Sequence, residues 1–271
     1  MHWASRVDLI KNELQKFNSL HHYKSTCAFG TLHRMLNVHW LDTDPNSPFP
    51  PLEQALTDPN GLLAVGGDLS STRLLNAYKQ GVFPWYNPGE PILWWSPDPR
   101  CVLYPPQLKI SRSLHKTLNK QLFEIRFDSA FIDVMLACAQ PREKQAGTWI
   151  TRDMLKGYVN MHEQGFGHSI ECWQNNRLVG GLYGLAIGRV FFGESMFSLV
   201  TDASKVALVT LCQWLQTNGY ELIDSQVHTP HLESMGAQLI PRADYAAQIK
   251  NLTQGGLQPG KWTTPAAKVS V

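Results

Sequence analysis

The sequence predicts an α+β protein, in which a small N-terminal α/β domain is followed by a larger domain with a mostly antiparallel sheet. Three observations carry this. Between residues 168 and 197 three strand-like runs follow one another with turn residues between them, the pattern of a meander. Ser204 to Thr217 is apolar over much of its circumference, which implies a helix buried against that sheet. Phe83 to Arg100 packs three of nine tryptophans and five of seventeen prolines into one stretch. Prolines at that density break a helix and cannot serve a central strand, so the segment reads as a stiff loop carrying aromatic rings between the two halves.

In chain order, residues 1–34 look detached: Ile10, Leu14 and Phe17 fall at helical spacing and nothing sustains the pattern. Translation is expected to start near Met35, which makes residues 1–34 a peripheral extension. The proline-rich run from Asp44 to Pro51 leads extended chain into a domain of residues 35–99. Gly61 to Asp68 is a short apolar strand, and Ser70 or Ser71 can cap a helix with Leu74, Leu75 and Tyr78 that ends at Gly81. The second domain, residues 100–271, opens with a basic stretch. Asp128 then reads as the cap of a helix with Phe131, Val134, Met135 and Cys138, and Thr151 as the cap of one with Leu155, Tyr158 and His162. Strands follow at His168 to Gln174, Leu178 to Ile187 and Arg189 to Phe197, turned by Asn175-Asn176 and Gly188. After the buried helix come a strand from Glu221 to Val227 and short helices from Leu232 and Asp244. Helices, a meander, a buried helix and another strand make an architecture of the kind acyltransferases use.

Composition excludes several classes. A formal charge of +2 does not announce a nucleic-acid binder, so any such role needs a local basic patch. The five cysteines, Cys27, Cys101, Cys138, Cys172 and Cys212, are odd in number and scattered without a Cys-x-x-Cys pair. That argues for reduced thiols in a cytoplasmic protein and against a zinc site. No apolar run approaches the length of about 18 residues that a membrane span needs. The one-sided charge lies in Arg100 to Arg126, where Arg100, Lys109, Arg112, Lys116, Lys120 and Arg126 face the single acid Glu124. Such a run is either a solvated helix face or a surface that tracks phosphates.

Chemistry-bearing side chains cluster on two strands. Alternation in Gly193-Glu194-Ser195-Met196-Phe197 puts Glu194 beside Met196, and Asp224-Ser225-Gln226 puts Asp224 beside Gln226. A carboxylate beside methionine and phenylalanine needs a partner or a cationic ligand. Glu194 could equally be a structural acid held by backbone amides or Lys205. His228 and His231 fit neither a zinc pair nor a triad, Ser204-Lys205 sits where serine ordinarily caps a helix, and Gly180 to Gly184 lacks the lysine of a phosphate loop.

Several stretches together resemble one family. They are Pro59-Asn60-Gly61-Leu62-Leu63-Ala64, Gly66-Gly67-Asp68-Leu69-Ser70, Phe83-Pro84-Trp85, Trp94 to Arg100, Ile110-Ser111-Arg112-Ser113, Gly147 to Thr151, Gly193 to Phe197, and Ile223-Asp224 with Gln226. In this order they are similar to the leucyl/phenylalanyl-tRNA–protein transferases, over residues 45 to 250. The resemblance implies a GNAT-like acyltransferase domain that uses aminoacyl-tRNA, with no cofactor. It implies transfer of leucine, phenylalanine or, less efficiently, methionine to an N-terminal arginine or lysine, which delivers the product to the N-degron proteolysis route. It also implies catalytic roles for Asp224 and Gln226, an active-site place for Glu194, and an aminoacyl-adenosine site bordered by Tyr78, Trp85, Trp149, Tyr158 and Met196.

The residues suit that chemistry. Aminolysis of an activated ester needs a neutral amine held near the carbonyl, and positioning alone can supply roughly 7–11 kcal/mol. Gln226 can accept a hydrogen bond from the amine with Asp224 in electrostatic support, and Glu194 can hold a cationic group. Met196, with Trp149, Leu182 and Phe197, offers an adaptable apolar wall; Leu182 stands where the resemblance leads to a methionine. Arg100, Lys109, Arg112, Lys116 and Lys120 would then carry tRNA phosphates. The expected partners are aminoacyl-tRNA and proteins with N-terminal arginine or lysine, no membrane, and a monomeric enzyme. Other readings are a peptidyl transferase acting on cell-wall precursors, an acetyl-coenzyme A enzyme on the same fold, and a tRNA-binding module without catalysis.

Overall fold

The computed structural model describes residues 38–140 and 150–263. The expected N-terminal extension, the start near Met35, Cys27 and Trp149 lie outside them. The chain divides into two compact units, the first ending at Asp98 and the second beginning at Pro99.

In the first unit the described strands make a four-stranded sheet in the order β1-β2-β4-β3, from β1 (His39–Leu41), β2 (Leu62–Gly66), β3 (Phe83–Pro84) and β4 (Leu93–Trp95). Helix α1 (Ser71–Lys79) starts where the Ser70 side chain accepts the Arg73 N–H, the cap expected at Ser70 or Ser71. The aromatic loop was expected without strands, and it contains two. Pro84 is tolerated because β3 is an edge strand, and β4, which lies between β2 and β3, is proline-free. Trp94 and Trp95 are fully buried there. Their indole N–H groups donate to the carbonyls of Gly66 (2.9 Å) and Trp85 (2.7 Å), so both large rings enter the core with their polar atoms satisfied. Buried Arg73 ties the preceding segment down by donating to the carbonyls of Asp42, Asp44 and Ser47.

The second unit is built on a seven-stranded sheet, order β11-β5-β10-β9-β8-β7-β6. Its strands are β5 (Arg100–Leu103), β6 (Glu124–Phe127), β7 (Gly167–Gln174), β8 (Arg177–Ile187), β9 (Val190–Ser198), β10 (Leu222–Gln226) and β11 (Gln238–Ile240). Only β9 and β10 pair in parallel, so the sheet is mostly antiparallel, as the sequence predicts. The β7–β8 hairpin turns on Asn175 and Asn176, both left-handed (φ 51° and 56°), the two-residue turn that matches strand twist. Helices α2 (Arg112–Asn119), α3 (Phe131–Cys138), α4 (Arg152–Glu163), α5 (Ala203–Thr217), α6 (Pro230–Ser234) and α7 (Arg242–Leu252) complete it. The main core joins α5 to the sheet through Leu182, Phe191, Val206, Leu211 and Leu215. Buried Met135 on α3 and Met154 and Tyr158 on α4 stand outside that cluster, and α3 packs on β8 and β9 while α4 packs on β7.

Thr151 caps α4 as expected, its hydroxyl accepting the Met154 N–H. Asp128 does not cap α3. Its backbone is left-handed (φ 51°), and its carboxylate is taken by His168 Nδ1 (2.8 Å), the Ser169 N–H (2.9 Å) and the Trp262 N–H (2.9 Å). The cap comes from elsewhere in the chain. Glu171 on β7, fully buried, accepts the N–H groups of Ser129 and Ala130, the hydroxyls of Ser129 and Ser169, and the Trp173 indole N–H. Near its end the described chain inserts Trp262 between His168 (rings stacked at 3.9 Å) and Trp214 (3.9 Å).

Candidate active site

The parallel ladder of β9 and β10 runs from Leu222↔Val190 to Asp224↔Phe192 and stops. Both strands become irregular there. Opposite β8, the register of β9 slips between Gly193 and Ser195, leaving Glu194 as an extra residue. On β10 the register against β5 shifts between Asp224 and Gln226, and Gln226 is left-handed at φ 55°. For a residue with a side chain that conformation costs on the order of 1–2 kcal/mol. Such an outlier persists only where its surroundings hold it.

Side chains bridge the opening. Gln226 Nε2 donates to Glu194 Oε1 at 3.2 Å, and the Tyr158 hydroxyl, from α4, donates to Glu194 Oε2 at 2.9 Å. An ionised carboxylate only accepts, so the Gln226 amide must turn its nitrogen to Glu194, leaving its oxygen as the acceptor on the other side. Asp224 is fully buried. Its Oδ1 accepts from Arg100 Nε (2.8 Å) and from the Gln226 backbone N–H (2.9 Å), and its Oδ2 accepts from Arg100 Nη2 (2.7 Å) and the Tyr245 hydroxyl (2.7 Å). Burial pushes the Tyr245 phenol well above its ordinary pKa, so it stays a donor. Tyr183, on β8, is likewise pushed well up by burial, with the nearby Glu194 carboxylate adding to the shift.

Several sequence-predicted residues therefore meet: Tyr158, Glu194 and Gln226 in direct contact, with Asp224 joined to Gln226 through the backbone. Simple alternation does not describe them. The β9 bulge turns the Glu194 carboxylate to Tyr158, whereas Met196 packs against the α5-side core, directly across from Leu182. Phe197 is buried two strands from β7, its ring close over Gly181. Tyr78 and Trp85 belong to the first unit, Tyr78 fully buried and Trp85 half-buried against Trp95 (ring centroids 5.9 Å). Of the basic set, Lys109, Arg112, Lys116 and Lys120 are exposed on and around α2. Arg100 is the correction: it is 0% exposed and committed to Asp224, so it cannot lie on a surface that meets phosphates. Tyr245 escaped sequence reasoning altogether, because nothing local marks a helix tyrosine as the partner of a carboxylate 21 positions earlier. Among the described residues no group of three or more His, Cys, Asp and Glu side chains is arranged to hold a metal ion.

Comparison with known proteins fixes the class and then the family. The family model described as leucyl/phenylalanyl-tRNA protein transferase matches residues 102–250, and that of its N-terminal domain matches residues 67–98. The chain is an aminoacyltransferase. It is 61% identical over 228 residues to a leucyl/phenylalanyl-tRNA--protein transferase of Nitrosomonas europaea, covering 84% of this chain and 95% of that one. To the protein of the same name from Aromatoleum aromaticum it is 56% identical over 234 residues (86% and 98%), and to that of Shewanella piezotolerans 52% over 237 (88% and 100%). The chain belongs to the leucyl/phenylalanyl-tRNA–protein transferase family. Among solved structures, an aminoglycoside acetyltransferase from an uncultured soil metagenomic sample shows a remote likeness, at 11% identity and a TM-score of 0.31 over 54% of this chain and 99% of that one. No helix among the described residues is long and apolar enough to cross a membrane.

Proposed function

We propose that the enzyme transfers leucine, phenylalanine and, less efficiently, methionine from aminoacyl-tRNA to the N-terminal arginine or lysine of acceptor proteins, marking them for the N-degron route. It works as a cytoplasmic monomer without a cofactor. The observation that carries the reading is the fixed Gln226 amide, whose nitrogen is committed to Glu194 and whose oxygen is thereby left to accept. The acceptor's α-amino group donates to that oxygen, which aims its lone pair at the ester carbonyl. A carbon–nitrogen bond forms, the bond to the tRNA ribose oxygen breaks, and one amine proton ends on that oxygen. Positive charge develops on the attacking nitrogen, and Glu194, held by Tyr158, stabilises it or holds the acceptor's basic side chain. Asp224 supports Gln226 electrostatically and takes no proton, since its two oxygens already accept four hydrogen bonds.

Leu182 and Met196, paired across β8 and β9, form with Phe197 the apolar wall that takes the aminoacyl side chain. Lys109, Arg112, Lys116 and Lys120 carry the tRNA backbone. The test incubates labelled leucyl-tRNA with peptides beginning in Arg, Lys or Ala, with and without ribonuclease. Label should enter only the Arg and Lys peptides, and only without ribonuclease. Equal labelling of the Ala peptide, or none of any peptide, would sink the reading.

A further inference from the structure

We infer that Arg100 and Tyr245 act with Asp224 as a buried clamp that sets the left-handed backbone of Gln226 and so aims its side chain. Both are positioning residues for transfer, an inference that rests on reading Gln226 as the group that meets the acceptor amine. The clamp draws on three elements: Arg100 opens β5, Asp224 lies on β10 and Tyr245 on α7. All three side chains are fully buried. The Arg100 fork grips both carboxylate oxygens (2.8 and 2.7 Å), Nη2 also reaches the Tyr245 oxygen (3.3 Å), and the guanidinium lies 4.5 Å from the Tyr245 ring centroid. A planar fork held this way fixes the carboxylate's position and plane together.

What the clamp acts upon is the Gln226 N–H, which donates to Asp224 Oδ1 at 2.9 Å. That bond forms where the β10 register breaks and the chain enters its left-handed turn, so the carboxylate replaces the ladder partner a regular strand would have offered. A buried ion pair is by itself weak evidence for stability, since apolar replacements often match it. Here the pair is tied to the backbone of a strained residue, and the side chain of that residue is the one aimed at the opening. From Arg100 and Tyr245 the chain of contacts runs through the Asp224 carboxylate to the Gln226 N–H.

The deciding variant is Tyr245→Phe, which removes one oxygen and keeps the ring; Arg100→Lys keeps the charge and loses the fork. Leucine transfer to an Arg-started peptide is measured with each, together with the urea midpoint. A lost bond to a charged group should lower kcat roughly ten- to hundredfold while KM for leucyl-tRNA stays put. Arg100→Lys should lose more kcat than its change in urea midpoint accounts for, which a merely structural ion pair would not do. Wild-type kcat in Tyr245→Phe, or in a folded Arg100→Lys, overturns the clamp. Gln226→Ala separates the two levels: if it keeps full activity the reading of Gln226 fails and the clamp with it, whereas an inactive Gln226→Ala beside a fully active Tyr245→Phe overturns the clamp alone.

Discussion

Tyr158→Phe should slow transfer by acting on Glu194. The substitution deletes one oxygen from a fully buried ring whose hydroxyl donates to Glu194 Oε2 at 2.9 Å. Hydrogen bonds to charged groups are worth about 1.5–3 kcal/mol. Glu194 is only half-buried, so the lower end applies, and kcat/KM should fall about ten- to thirtyfold. Glu194→Gln should cost more, because it removes the charge itself and leaves Gln226 Nε2 facing an amide. If the hydroxyl serves only to hold that carboxylate, the double variant should be no worse than Glu194→Gln, with a coupling of about 1.5 kcal/mol in the mutant cycle. The assay is steady-state transfer of leucine from leucyl-tRNA to an Arg-started peptide, with folding checked by denaturant titration. Losses that simply multiply would refute the reasoning, since Tyr158 would then act independently of Glu194.

Other consequences follow from the same geometry. Lys116→Glu with Lys120→Glu should weaken tRNA binding at low salt and flatten the slope of log K against log salt by about 1.4–1.8, the change expected from two lost phosphate contacts; filter binding across salt concentrations measures it. Glu171→Ala orphans several buried donors at the start of α3, at about 1–3 kcal/mol each, so the urea midpoint should collapse. Gly184→Ala forces a Cβ onto the Phe192 carbonyl and the Phe191 ring and should greatly reduce soluble expression, whereas an exposed control such as Lys120→Ala should not. Burial raises the thiols of Cys172 and Cys212 from about 9 to about 12. The unfolded chain then releases those protons first, so the contribution of these thiols to stability should be constant below pH 9 and fall between pH 9 and 12, by about 1.4 kcal/mol per pH unit and thiol at most. Replacing both cysteines by alanine should reduce that alkaline slope, as read by urea titration.

What the sequence disclosed is what local pattern controls. The meander and α5 were legible because turn residues and apolar periodicity sit beside the elements they define, and Ser70 and Thr151 cap their helices with atoms three positions away. Glu194, Asp224 and Gln226 stood out by residue type on strands. Their arrangement did not, because two register slips decide it, and a slip leaves no mark in alternation. Arg100 shows the same limit at longer range. In sequence it heads a basic run; in the fold it is paired with an acid 124 positions away. The misplaced cap at Asp128 has a similar cause, since His168, Ser169 and Trp262 reach it from distant segments.

The borrowed cap of α3 also bears on the order of folding. Ala130 offers the helix no side-chain acceptor, and the carboxylate that replaces one arrives from β7, some forty residues later. An eight-residue helix is marginal by itself, so α3 has little reason to persist until β7 has found its place beside β6 and β8. Mutations within α3 should then change the unfolding rate far more than the folding rate, making this helix one of the last parts of the second unit to consolidate.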